Sequence, residues 1–148
     1  MNDGPILLVE DTKADELLTI RSLQKISVAN QVDVVRDGQA AIDYLLDEAK
    51  DGSGYLRPLP SLVILDLKLP KLDGHEVLQR IRAHERTELL PVVILTSSDE
   101  EKDITKSYEL GVNSFVRKPV NIDEFTRAVK DVGLYWLIIN KGSNNRHR

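Results

Sequence analysis

The chain contains no cysteine in its 148 residues. That excludes a disulfide framework and thiolate metal sites, and it is compatible with a reducing compartment. Long hydrophobic runs are also missing: the longest near the C-terminus, "LYWLII", falls far short of a membrane span. The opening "MNDGPILLVED" has neither a basic n-region nor a long apolar h-region, so no signal peptide and a cytoplasmic location are expected. No basic face stands out. The 20 Lys and Arg are interspersed with 24 Asp and Glu, for a formal net charge of −4, which argues against nucleic acid as a partner. The one cationic cluster, the tail "NNRHR", reads as a solvated terminus. Internal repeats and low-complexity segments are absent.

What is present is an ordinary globular composition, 41% hydrophobic and 30% charged. The length suits one domain with a sizeable core. A single domain over residues 1–148 is expected, with its core at about 5–135, a last helix to about 140 and a polar tail at 141–148.

Short apolar runs alternate with longer amphipathic ones. "PILLVE" (5–10) reads as a buried strand. A helix follows, capped by Asp11 or Thr12, with an apolar stripe of Leu17, Ile20 and Leu23 joined by Leu18 and Ile26. "QVDVVR" (31–36) is strand-like, and Asp37 opens a helix over 37–49. Residues 50–60, rich in Gly and Pro, form a loop. Leu62 to Leu65 make a strand, after which Asp73 caps a helix burying Val77, Leu78 and Ile81. "VVILT" (92–96) is the fourth strand. "SSDEEKDITKSYELG" reads as a helix stopped by Gly111, and "NSFVRKP" carries the fifth strand. Asn121 caps the last helix. Five strands alternating with five helices argue for an α/β domain whose parallel sheet is covered on both faces.

In doubly wound sheets, ligands bind at the carboxyl ends of strands. The polar residues there are specific. Glu10 and Asp11 end the first strand, Asp66 the third and Thr96 the fourth, while Lys118 and Pro119 follow the fifth. With the sheet ordered 2-1-3-4-5, three carboxylates, a hydroxyl and an ammonium converge on one rim. Carboxylates about 4 Å apart repel by roughly 4 kcal/mol at an effective dielectric near 20, so the cluster calls for a cation. Oxygen-only ligands suit a hard ion such as Mg²⁺, which in turn attracts a phosphoryl group. Lys118 can balance phosphoryl charge, and Thr96 can donate a hydrogen bond to it. Asp66 is the candidate nucleophile, because carboxylates attack phosphorus to form aspartyl-phosphates. Taken singly, Glu10–Asp11 is more often a helix cap and Asp66 a turn residue. The joint placement is what points to a site. His75, His84 and His147 lack metal spacing and read as solvated surface.

The motifs "LLVED", "VILDLKLPKLDG", "VVILTSS" and "SFVRKP", in this order and spacing, resemble the receiver domain of two-component response regulators, the CheY-like fold. The resemblance covers residues 5 to 135 or so. It implies a doubly wound five-stranded parallel sheet with helices on both faces. It makes Asp66 the phosphoacceptor for a phosphohistidine on a sensor histidine kinase, and Glu10 and Asp11 the acidic pair holding Mg²⁺. Lys68 would lend its backbone carbonyl to the metal. Thr96 would be the switch hydroxyl, Phe115 the switch aromatic and Lys118 the phosphoryl-contacting lysine, with a cis Lys118–Pro119 bond. Departures from the family pattern are Glu10 in place of aspartate, Ser97 in place of alanine and a longer loop at 50–60. The only chemistry implied is self-phosphorylation and self-dephosphorylation. The long loop, "DLKLPKLDG" and "YWLIIN" further resemble stand-alone regulators paired with cyanobacterial-phytochrome histidine kinases.

Rival classes fit less well. A haloacid-dehalogenase-type phosphatase would need a second aspartate where Lys68 stands. A flavodoxin-like FMN protein would need a Ser/Thr/Gly-rich loop where the chain has "EDTKAD". A receiver-shaped module that never takes phosphate is opposed by the intact acidic pair, Asp66, Thr96 and Lys118. On the last helix, Ile122, Phe125, Val129, Val132 and Trp136 form one stripe, but Tyr135, Leu137, Ile138 and Ile139 make its end apolar nearly all round. That excess suggests a homodimer through the face of the fourth helix, fifth strand and fifth helix, or a tail folded on its own domain. Because the chain ends soon after the receiver, the expected output is contact with an unknown downstream protein.

Overall fold

The structure is a computed structural model and describes residues 4–25, 28–46, 58–98, 100–119 and 121–131. Five parallel strands, β1 (Ile6–Val9), β2 (Val32–Val35), β3 (Leu62–Leu65), β4 (Val92–Thr96) and β5 (Ser114–Arg117), form one sheet in the order β2-β1-β3-β4-β5. Between and after them run α1 (Lys13–Lys25), α2 (Gly38–Leu46), α3 (Gly74–Ala83), α4 (Glu101–Glu109) and α5 (Ile122–Asp131). The three central strands are buried along their whole length, as strands covered on both faces must be.

Successive strand side chains point to opposite faces, and two cores result. On one face Leu7, Val9, Val63, Leu65, Val92 and Ile94 pack on Ala41, Ile42 and Leu45 of α2 and Val77, Leu78 and Ile81 of α3. On the other, Ile6, Leu8, Leu62, Ile64, Val93, Leu95 and Val116 pack on Leu23 of α1 and Phe125 and Ala128 of α5.

Helix starts follow their capping residues. The Asp73 carboxylate accepts from Glu76 N–H at 3.0 Å, Asp37 from Ala40 N–H at 2.7 Å, and the Asn121 side chain from Glu124 N–H at 3.0 Å. Gly111, at φ 93°, takes the left-handed conformation that ends α4. A Cβ on Gly74 would sit 2.3 Å from the Asp66 carbonyl oxygen, so the bare glycine lets α3 start directly against the end of β3. At the opposite edge, the Arg82 guanidinium of α3 donates to the carbonyls of Gly111, Glu88 and Leu90 and to the Asn113 side chain, at 2.7 to 3.0 Å.

Two expectations change. On α1 the residues that go inside are Glu16, Thr19, Ser22 and Leu23, whereas Leu17 and Leu18 are about half exposed. Of the expected apolar stripe, Leu23 and Ile20 face the core and Leu17 and Leu18 do not. Glu16 is held inside by Arg36, whose Nη2 lies 2.5 Å from Glu16 Oε1; the contact is ionic, without hydrogen-bond alignment. The fourth helix begins at Glu101, later than "SSDEE" suggests, because Ser98 turns its hydroxyl to the Asp103 carboxylate at 2.6 Å instead of entering the helix. The expected loop at 50–60 lies mostly outside the described residues, as do Ile26, the end of the second helix beyond Leu46 and the last helix beyond Asp131.

Candidate phosphoacceptor site

Strand pairing builds the site. Val9 and Leu65 are register partners in adjacent strands, so the next residues, Glu10 and Asp66, emerge side by side at the carboxyl rim. The ladder continues one step past each strand: Glu10 N–H donates to Val35 O and Asp66 N–H to Val9 O. By strand alternation Glu10 continues the row of Ile6 and Leu8, Asp66 that of Leu62 and Ile64, and Lys118 that of Val116. All three therefore belong to the α1–α5 face.

There they meet. Lys118 Nζ lies 2.6 Å from Glu10 Oε1, 2.9 Å from Asp66 Oδ2 and 2.9 Å from Asp15 Oδ2 of α1. Glu10 and Asp66 are 2% and 8% exposed, so these charges are held by each other rather than by water. Burial raises the Glu10 pKa, reinforced by the Asp66 charge and opposed by Lys118. Burial alone would lower the Lys118 pKa, but hydrogen bonds to Glu10, Asp15 and Asp66 outweigh it and push the ammonium well above the ordinary lysine value. The Asp15 carboxyl is held below its usual range, chiefly by its hydrogen bond to Lys118.

One carboxylate oxygen each from Glu10, Asp11 and Asp66 can be chosen so that all lie within 4.8 Å of one another. Two of these residues are buried and Asp11 is exposed. Hard oxygen donors with one open side match a divalent cation that keeps part of its water shell. Lys68 meets the cluster through its backbone N–H, in a long 3.4 Å contact to Asp66 Oδ1.

Thr96 belongs to the other face, in the row of Val92 and Ile94, and is fully buried. Among the described residues its bonds run to Ser98 N–H, which donates to Oγ1 at 3.4 Å, and to Lys118 N–H, which donates to the Thr96 carbonyl at 2.8 Å. The second bond fixes the backbone from which the Lys118 side chain reaches across the rim. Phe115, paired in register with Ile94, packs half-buried on the same face as Thr96. The Lys118–Pro119 bond is cis.

Two residues carry more than the sequence suggested. Asp15 shares Lys118 with the acidic site; lying four positions after Asp11, one helical turn on, its spacing was the available signal. His75 is not simply solvated surface. Its Nε2 is 3.0 Å from Ser107 Oγ and 3.3 Å from Asp103 O, because it sits in the first turn of α3, facing α4. His84 is exposed, as expected, and His147 lies outside the described residues.

Comparisons with known proteins agree with this fold. The response regulator receiver domain matches residues 6–130. A probable methanogenesis regulatory protein, FilR2, from Methanothrix harundinacea is 42% identical over 92% of this chain and 85% of its own length. Response regulator Rcp1 from Synechocystis is 39% identical over 89% of this chain and 88% of its own. Its Mn²⁺-bound crystal structure superposes with a TM-score of 0.72, covering 90% of this chain and 94% of that one. The bacteriophytochrome response regulator RtBRR is 49% identical with a TM-score of 0.79, covering 90% of this chain and 80% of its own. Alternating strands and helices, the 2-1-3-4-5 sheet and the carboxylate rim thus have one common explanation: the chain belongs to the receiver-domain family of two-component response regulators.

Proposed function

We propose that Asp66 accepts a phosphoryl group from a sensor histidine kinase, and that the modified rim switches a protein-binding face. The observation carrying this reading is the Asp66 carboxylate itself: 8% exposed at the end of a wholly apolar strand, 2.9 Å from the Lys118 ammonium and grouped with Glu10 and Asp11. An aspartate desolvated this far needs a charged partner, and a receiver needs its acceptor in such a place. Glu10, Asp11, Asp66 and the Lys68 carbonyl would hold Mg²⁺, which when bound neutralises charge on the phosphoryl oxygens. In the transfer an Asp66 oxygen bonds to phosphorus as the donor's bond to phosphorus breaks. With acetyl phosphate the leaving group is acetate and no proton is gained or lost. Lys118 donates to the phosphoryl group. Thr96 lies one strand over and serves as the hydroxyl that follows it, with Phe115 on the same face.

The kinase partner is a phytochrome-type kinase in the cytoplasm, a reading supported by the similarity to RtBRR and Rcp1. The output surface is the face of α4, β5 and α5, through which the chain forms a homodimer and meets a downstream protein.

Incubation with acetyl phosphate and Mg²⁺, followed by intact-mass analysis, tests the acceptor. One base-labile phosphoryl adduct is expected in the wild type and none in Asp66→Asn. An adduct that survives the substitution overturns the assignment. Sedimentation of the same protein, with and without beryllofluoride, should show a dimer in at least one condition; a monomer in both defeats the interface.

A further inference from the structure

An ammonium has three N–H donors. On Lys118 all three are committed to carboxylates: Glu10, Asp66 and Asp15. Two of these acceptors have other work under the function proposed above, Glu10 toward the cation and Asp66 toward the phosphoryl group. Asp15 has none. It stands on α1, 38% exposed, and reaches Lys118 from the helix side rather than from the sheet.

Lys118 and a divalent cation compete for the same carboxylates. In the structure the ammonium serves as the internal counter-ion of Glu10 and Asp66, bound to one oxygen of each, so a cation that binds there meets its positive charge. We propose that Asp15 is a positioning residue that draws the Lys118 ammonium toward α1 and thereby opens the Glu10–Asp66 pair to a divalent cation. The inference rests on the reading of the acidic rim given above. Asp15 also keeps the lysine from leaving. When Asp66 is phosphorylated, the donor that faced Oδ2 becomes available to a phosphoryl oxygen while Asp15 retains its own, so the ammonium pivots about a fixed partner. The direct field of a carboxylate this exposed is screened by water and salt, so its influence on the cation passes through the lysine.

The test is the binding of Mn²⁺ to the full chain, read from the electron paramagnetic resonance of the free ion. Asp15→Asn should weaken binding by about three- to fivefold, the scale of a partly exposed ion pair. Asp15→Glu should recover most of the loss. In a Lys118→Met background the same Asp15→Asn change should move the Mn²⁺ affinity by less than about 1.5-fold, because the residue through which it acts is gone. Unchanged affinity in Asp15→Asn, or an equal loss with and without Lys118, overturns the proposal. Failure of the wild type to bind Mn²⁺ or to gain an adduct would instead refute the reading of the acidic rim, and the role of Asp15 with it.

Discussion

The two faces of the sheet are built differently. On the α2–α3 side the helices offer aliphatic side chains, with Ala41, Ile42, Leu45, Val77, Leu78 and Ile81 buried against the strands. On the α1–α5 side, α1 buries Glu16, Thr19 and Ser22 beside a single leucine, Leu23. Strand alternation sends Glu10, Asp66 and Lys118 to that more polar side, and Thr96 with Phe115 to the aliphatic one. Lys118 and the buried carboxylates thus leave the strands on one side of the rim, and Thr96 with Phe115 on the other. The two sides are joined by the backbone bond from Lys118 N–H to the Thr96 carbonyl.

Lys118→Met should break the polar face most severely. It leaves Glu10 and Asp66 buried without their cation, at a cost of about 3–5 kcal/mol. Urea unfolding in EDTA should show the full loss, and added Mg²⁺ should recover part of it. Because the folded-state pKa of Lys118 is raised, its contribution is fully present below the ordinary lysine value of 10.5 and is lost as pH rises beyond it. The difference between wild type and variant should therefore persist up to about pH 10.5 and shrink above it. Equal stability of the two proteins in EDTA at neutral pH would mean that the carboxylates do not need the lysine.

A smaller effect is expected on the aliphatic face. Thr96→Val removes the acceptor for Ser98 N–H and should cost about 1 kcal/mol. Mn²⁺ affinity should remain within about twofold of the wild type, since Thr96 is not among the carboxylates proposed to hold the cation. A tenfold loss of affinity would show that the two faces are not separate. Least of all should follow from Leu17→Gln on the exposed side of α1: within about 0.5 kcal/mol in the same urea measurement. A cost of 2 kcal/mol or more, roughly that of emptying a core site, would restore the stripe drawn from sequence.

Much of the rim was legible in the sequence because parallel strands are short, apolar and abruptly ended. A carboxylate directly after a run such as Leu62–Leu65 has few places to go. Sheet order followed from the alternation of elements together with the family resemblance. What could not be read was polarity held inside by a distant partner. Glu16 looks like a surface residue until Arg36, twenty positions later, is placed against it. The same misreading moved Leu17 and Leu18 inward on paper. Asp15 joins the adjacent acidic pair at Lys118 because one helical turn returns to the same side. His75 was assigned to the surface because its partners, Asp103 and Ser107, belong to another helix.

Arg82 ties the end of α3, the connection into β4 and the entry to β5 through four hydrogen bonds from one planar group. Lysine, with a single nitrogen on a flexible stem, could not reproduce that fork. The amino-terminal edge of the sheet is thereby clamped in this region, at the opposite end from the carboxylate rim. At the carboxyl edge, by contrast, the connection into α4 turns on Ser98 and Asp103 rather than on a guanidinium. The domain is tied at its foot by a planar cation and at its lip by a hydroxyl and a carboxylate, an asymmetry written in which residue stands at each end.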